Sequence, residues 1–162
     1  MVNTAFILWN LDLKKTILCY VSMNDQIREN LLNEQSLLAG KKIIIADDEQ
    51  FIRQHITKKL SSLGLTVFEA ETGKQVLDLL CSSPDLILMD VKMPGIDGYE
   101  TTKQIKSDNS TSDIPIILLS AFSGDEDIEY GYRVGANDFL TKPVTFAIIL
   151  ETIRRQLNPI TL

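Results

Sequence analysis

Cysteine is scarce in this chain of 162 residues, occurring only as Cys19 and Cys81. Two thiols without regular spacing form no disulfide framework, so both read as free thiols in a reducing cytosol. Basic residues are outnumbered, 16 against 22 acidic ones, giving a formal net charge of −6 and a pI near 4.8. That balance argues against direct binding of nucleic acid, which needs a basic face. Long apolar runs are missing too. The stretch AFILW near the N-terminus is broken by Asn10 and Asp12 and follows no basic residues. It is too short for a membrane span and wrongly flanked for a signal peptide, so the expectation is a cytoplasmic chain without membrane contact. There is no glycine-rich nucleotide loop, hence no expected use of ATP, and no internal repeat. What remains is 44% hydrophobic and 23% charged, ordinary material for one soluble domain with some length to spare.

From residue 41 onward, strand and helix patterns alternate. KIIIA (42–46), TVFEA (66–70), DLILM (85–89), IPIILLS (114–120) and NDFLT (137–141) read as strands. Between the first two, Ile52, Ile56, Leu60 and Leu63 recur at helical spacing, with Gly64 as the expected stop. GKQVLDLL (73–80) reads as a helix capped by Thr72, residues 99–107 as another, and DEDIEYGYRV as one with acids in its first turn. Phe146, Ile149, Leu150, Ile153 and Leu157 mark a final helix, with Pro143 expected in its first turn. Five such units with nearly continuous apolar strands predict an α/β fold, a doubly wound parallel sheet covered on both faces.

The stretch DLILMDVKMPGIDG (85–98) delivers an aspartate, Asp90, to the end of a buried strand. Ligands of such sheets bind outside the C-terminal strand ends. The first strand ends in Asp47 and Asp48, the fourth in Ser120, and the fifth runs into Lys142. Taken singly, each has a plainer role: a helix cap for the acids (Asp48 in part), a turn for Ser120, a loop for Lys142. Their joint placement outweighs that. Clustered carboxylates call for a divalent cation, and few hard oxygen ligands favour Mg²⁺. A carboxylate beside Mg²⁺, a lysine and a hydroxyl suits phosphoryl transfer to that carboxylate.

The motifs DDE (47–49), MDVKMPGIDG (89–98), LSA (119–121) and TKP (141–143) closely resemble those of the receiver domain of two-component signalling, across residues 41–157. The resemblance implies a flavodoxin-like (βα)5 fold with Asp90 as phosphoacceptor. It implies Mg²⁺ bound directly by Asp48, by Asp90 and by the main-chain carbonyl of Lys92, and through water by Asp47. Ser120 and Lys142 would contact the phosphoryl oxygens, and Phe139 occupies the aromatic switch position, with Ser120 moving towards the phosphoryl group. Gly131 is expected to weaken the neighbouring helix, and the face of that helix, the last strand and the last helix is the expected partner or dimer surface. His55, the only histidine, lies mid-helix without a kinase-like motif and reads as structural or surface. The donor is then a separate histidine kinase, histidine phosphotransfer protein or small phosphodonor. The chain itself is no enzyme beyond its own aspartyl phosphorylation and dephosphorylation.

Residues 1–40 read as an extension ahead of a receiver at 41–162: two strands, then a linker helix stopped by Gly40. TAFILWNLDL faintly resembles the last strand of a kinase ATP-binding domain. This favours the receiver part of a hybrid sensor kinase, with a stand-alone receiver as the alternative and dimerisation through the extension as another role. An aspartate-nucleophile phosphatase would need an aspartate where Lys92 stands. A DNA-binding output is unsupported, since the sequence stops soon after the final helix.

Overall fold

The computed structural model describes residues 38–121 and 124–158. The expected hairpin, most of the linker helix and Cys19 lie outside these residues. Five parallel strands alternate with five helices. They are β1 (Lys42–Ala46), α1 (Gln50–Ser62), β2 (Thr66–Ala70), α2 (Gly73–Leu79), β3 (Leu86–Asp90), α3 (Gly98–Ser107), β4 (Ile116–Ser120), α4 (Asp125–Arg133), β5 (Asp138–Thr141) and α5 (Phe146–Leu157). A short 3₁₀ turn, Leu80–Ser82, follows α2. The sheet order β2-β1-β3-β4-β5 is that of flavodoxin-like folds.

Strand alternation divides the core in two. Ile43, Ile45, Leu86, Leu88, Ile117 and Leu119 face Ile56 and Leu60 of α1 and Ile149 and Ile153 of α5. Ile44, Ala46, Ile87, Met89, Ile116 and Leu118 face the other layer, with Val76 of α2 and Ile105 of α3. Because both faces are covered, the central strands β3 and β4 are buried throughout and apolar up to their last residues, Asp90 and Ser120, whereas edge strand β2 keeps Thr66 and Glu69 exposed.

Local chemistry sets the helix limits. Thr72 accepts from the Gln75 N–H (3.3 Å) and Asp97 from the Glu100 N–H (2.8 Å), capping α2 and α3. Gly64 ends α1 with a φ of +89°, as expected. Two expectations at helix starts need correction. The cap position of α1 is Glu49, not Asp48, and the Asp47 carboxylate accepts the Glu49 N–H (2.9 Å). Pro143 lies ahead of α5 rather than in its first turn, because Thr145 caps that helix by accepting from the Ile148 N–H. The Lys142–Pro143 peptide is cis. Among the described residues, no helix is long and apolar enough to cross a membrane.

Leu38, three residues ahead of the expected boundary, is 1% exposed and joins the α1/α5 layer of the core. The Gly40 N–H donates to the Gly64 carbonyl (2.9 Å), tying this lead-in to the end of α1. A fragment of residues 38–162 is therefore expected to fold, and one of residues 41–162 to be less stable by about 2 kcal/mol, the worth of one buried leucine. Urea denaturation of the two fragments measures the difference.

Candidate functional site at the strand ends

The turn after β1 carries Asp47 and Asp48, and the last residue of β3 is Asp90. Each offers one oxygen to a group whose members all lie within 4.8 Å of one another. Asp47 and Asp90 are buried and Asp48 is exposed. Lys142, just past β5, reaches between them, with Nζ 2.9 Å from Asp47 Oδ2 and 2.8 Å from Asp90 Oδ1. The other Asp47 oxygen takes the Glu49 N–H, so both of its oxygens are engaged by the protein.

One ammonium thus contacts two of the three clustered carboxylates, and the titration of Asp90 and Lys142 reflects it. Burial pushes the Asp90 pKa up; Lys142 opposes this without cancelling it, and the charges of Asp47 and Asp48 add to the rise. Burial also works against the charge of Lys142, yet its hydrogen bonds to Asp90 and Asp47 outweigh that and hold its pKa above the ordinary value. Lysine gains from two acids while Asp90 receives only a share of one lysine. The oxygen-only donor set, its surplus negative charge and its solvent-open side at Asp48 fit a small hard dication such as Mg²⁺.

Neighbouring elements keep Asp90 in place. Asp90 pairs in register with Leu119 of β4, and the Val91 N–H donates to the Leu119 carbonyl (2.8 Å). The start of α3 abuts the same backbone: a Cβ on Gly98 would stand 2.5 Å from the Asp90 carbonyl oxygen. Only glycine permits that approach. The intervening Lys92 side chain is exposed, as expected.

Ser120 is buried at the end of β4, and its carbonyl accepts the Lys142 N–H (2.7 Å). Phe139 pairs with Leu118 and not with Ser120, whose partner is Thr141, so the ring lies one same-face step below the strand ends. That ring is 9% exposed and packs against Gly131 of α4. A Cβ on Gly131 would come 2.8 Å from Phe139 Cδ2. Gly131 therefore has a packing role beyond any weakening of its helix: it makes room for the ring.

His55 is exposed and stacks on Phe51 with ring centroids 6.4 Å apart. Phe51 is 83% exposed and borders a groove of about 560 Å³ between α1 and α5, lined also by Ile52, Lys59, Val144 and Phe146. Arg53, on the same helix, drew no expectation from the sequence. It is 4% exposed and donates to the Asp47 carbonyl (2.6 Å), to Glu69 (3.1 Å) and to Glu71 (2.6 Å). The available signal was a lone arginine beside Ile52 in the first turn after the acidic pair.

Residues 43–154 match the family model described as the response regulator receiver domain. The chain belongs to that family. The phosphate regulon transcriptional regulatory protein PhoB of Pseudomonas aeruginosa is 41% identical over 126 residues, covering 75% of this chain and 55% of PhoB. The chain thus spans little more than half of that relative. Protein PilH of the same organism is 38% identical over 113 residues, covering 69% of this chain and 93% of PilH. Among solved structures, the signal receiver domain of a signal transduction histidine kinase from Syntrophus aciditrophicus superposes with a TM-score of 0.68 at 30% identity, covering 76% of this chain and 98% of that chain. The expected fold and family stand.

The raised pKa of Asp90 has a definite sign for stability. The folded receiver holds this proton to higher pH than an unfolded chain does. Acidification through the raised value towards the ordinary 3.8 therefore lets Asp90 favour folding, and that contribution is lost as pH rises. At neutral pH without divalent cations, Asp90→Asn is expected to raise the thermal midpoint, with the gain shrinking as pH falls through this window. Thermal denaturation of both proteins across pH checks this.

Proposed function

We propose that this receiver accepts a phosphoryl group on Asp90 from a partner's phosphohistidine, with Mg²⁺ at the Asp48 side of the cluster. The observation that carries the reading is the buried Asp90 carboxylate held 2.8 Å from Lys142 and grouped with Asp47 and Asp48. Asp48 supplies the direct carboxylate ligand because it is the solvent-open acid, joined by Asp90 and the Lys92 carbonyl. Asp47, whose oxygens already hold Lys142 and the Glu49 N–H, acts through water. Bound Mg²⁺ supplies charge neutralisation for the incoming phosphoryl oxygens.

An Asp90 oxygen forms the O–P bond as the P–N bond to the donor imidazole breaks, the imidazole leaving with that electron pair. Lys142, already paired with Asp90, turns to a phosphoryl oxygen, and the Ser120 hydroxyl donates to another. Movement of Ser120 is felt by Phe139 on the same face of the sheet. The surface of α4, β5 and α5 then carries the signal to an output partner or a second copy. A cytoplasmic setting agrees with this chemistry.

The donor must approach the carboxylate edge, and the exposed Phe51 beside it is the apolar contact that such a protein would cover. Two settings compete. Likeness to the receiver of a histidine kinase supports a hybrid sensor kinase. The near-complete span of PilH supports a stand-alone receiver. The reading frame upstream of Met1 separates them: kinase motifs there establish the first, and their absence the second.

Incubation with Mg²⁺ and a small phosphodonor is expected to add one acid-labile phosphoryl group, which Asp90→Asn abolishes. Equal labelling of the variant would refute the assignment. Asp48→Ala is expected to weaken Mg²⁺ binding more than Asp47→Ala does, as titration calorimetry can measure. Phe51→Ala is expected to slow transfer from a phosphohistidine donor protein by roughly tenfold while leaving labelling by a small phosphodonor unchanged, the loss of a contact worth about 1.4 kcal/mol. Stopped-flow transfer assays with both donors provide the comparison.

A further inference from the structure

Among the described residues, Arg53 is the only buried lysine or arginine. Burying a charge is costly unless it is paired and hydrogen-bonded, so its surroundings should show what holds it. The guanidinium is a rigid planar fork whose donors point in fixed directions. Nε and Nη2 are taken by Glu69 and Glu71 at the end of β2, which fixes the plane of the group. Nη1 is then aimed at one acceptor, the carbonyl oxygen of Asp47, at 2.6 Å.

That carbonyl belongs to the peptide unit joining Asp47 to Asp48. The unit is planar, so fixing its oxygen fixes the plane from which the Asp48 Cα–Cβ bond departs. The preceding N–H, that of Asp47, donates to the Ala70 carbonyl (3.2 Å), so the residue is tied on both sides to the end of β2. Asp48 is exposed, and its aim depends on this backbone more than on packing.

We infer that Arg53 is a positioning residue for the cation site: it orients the peptide between Asp47 and Asp48, with Glu69 and Glu71 as its anchors, and touches neither the cation nor the phosphoryl group. The inference rests on the Mg²⁺ reading above.

Two effects of removing this side chain have opposite signs. Loss of a positive charge near the carboxylates would tighten cation binding through Coulomb's law. Loss of the clamp would loosen it, since supports of metal ligands commonly matter by tenfold or more.

The test uses the full chain, titrated with Mg²⁺ by calorimetry and phosphorylated by acetyl phosphate at a series of Mg²⁺ concentrations. Arg53→Met is expected to weaken Mg²⁺ binding about tenfold while the phosphorylation rate at saturating Mg²⁺ stays near wild type. Arg53→Lys, which keeps one donor for the carbonyl, should recover part of the affinity. Glu71→Gln, which keeps a side-chain oxygen to accept from Nη2 and so keeps the fork's plane, should lower the thermal midpoint with Mg²⁺ affinity within about twofold of wild type. Unchanged or tighter Mg²⁺ binding by Arg53→Met overturns the inference. Where that variant does not fold, Arg53→Gln is read by the same criterion. A wild-type chain that binds no Mg²⁺ overturns the metal reading itself, a separate result.

Discussion

One ammonium group, on Lys142, holds together an edge of the sheet that would otherwise repel itself. It sits between two buried carboxylates at 2.9 and 2.8 Å, with the exposed Asp48 as their neighbour. The charges do not balance, and the surplus is what a divalent cation would offset. A fully neutralised cluster would have no need of a cation. A cluster without lysine would bear three uncompensated acids, two of them buried, at a cost no receiver of this size easily offsets. Asp90, with its raised pKa, is therefore held under electrostatic tension.

The scaffold supplies that tension from several directions. Pairing with β4 fixes the depth of Asp90, and the close approach of Gly98 brings α3 against its backbone. The turn after β1 is secured by Asp47 to Glu49 on one side and by Arg53 to β2 on the other. The ties involve β1, β2, β3 and β4 together with α1 and α3, so the geometry belongs to most of the sheet rather than to any one loop.

Much of this was legible in the sequence. Apolar runs of strand length ending in Asp47, Asp90 and Ser120 announced both the sheet and the edge where the carboxylates gather, because covered parallel strands show no alternation until they meet solvent. The Thr72 cap and the Gly64 stop follow from local chemistry and appear where expected. What could not be read depends on contacts between distant residues. Arg53 looks like any solvated helix residue until Glu69 and Glu71 converge on it. Gly131 looks like a weak point in α4 until the Phe139 ring is seen to fill the space beside it. The start of α5 was misplaced because Pro143 carries a strong helix-start signal, whereas the hydroxyl of Thr145 decides the matter.

The division of the core into two layers has a further consequence for traffic around the molecule. The groove beside Phe51 opens on the layer of α1 and α5, whereas Phe139 and Gly131 meet on the opposite side of the sheet. A body seated in the first position leaves the second uncovered. The thickness of a single sheet thus separates the groove from the Phe139–Gly131 contact, while α5, which lines the groove through Phe146 and Ile149, is the one element shared with the proposed output face.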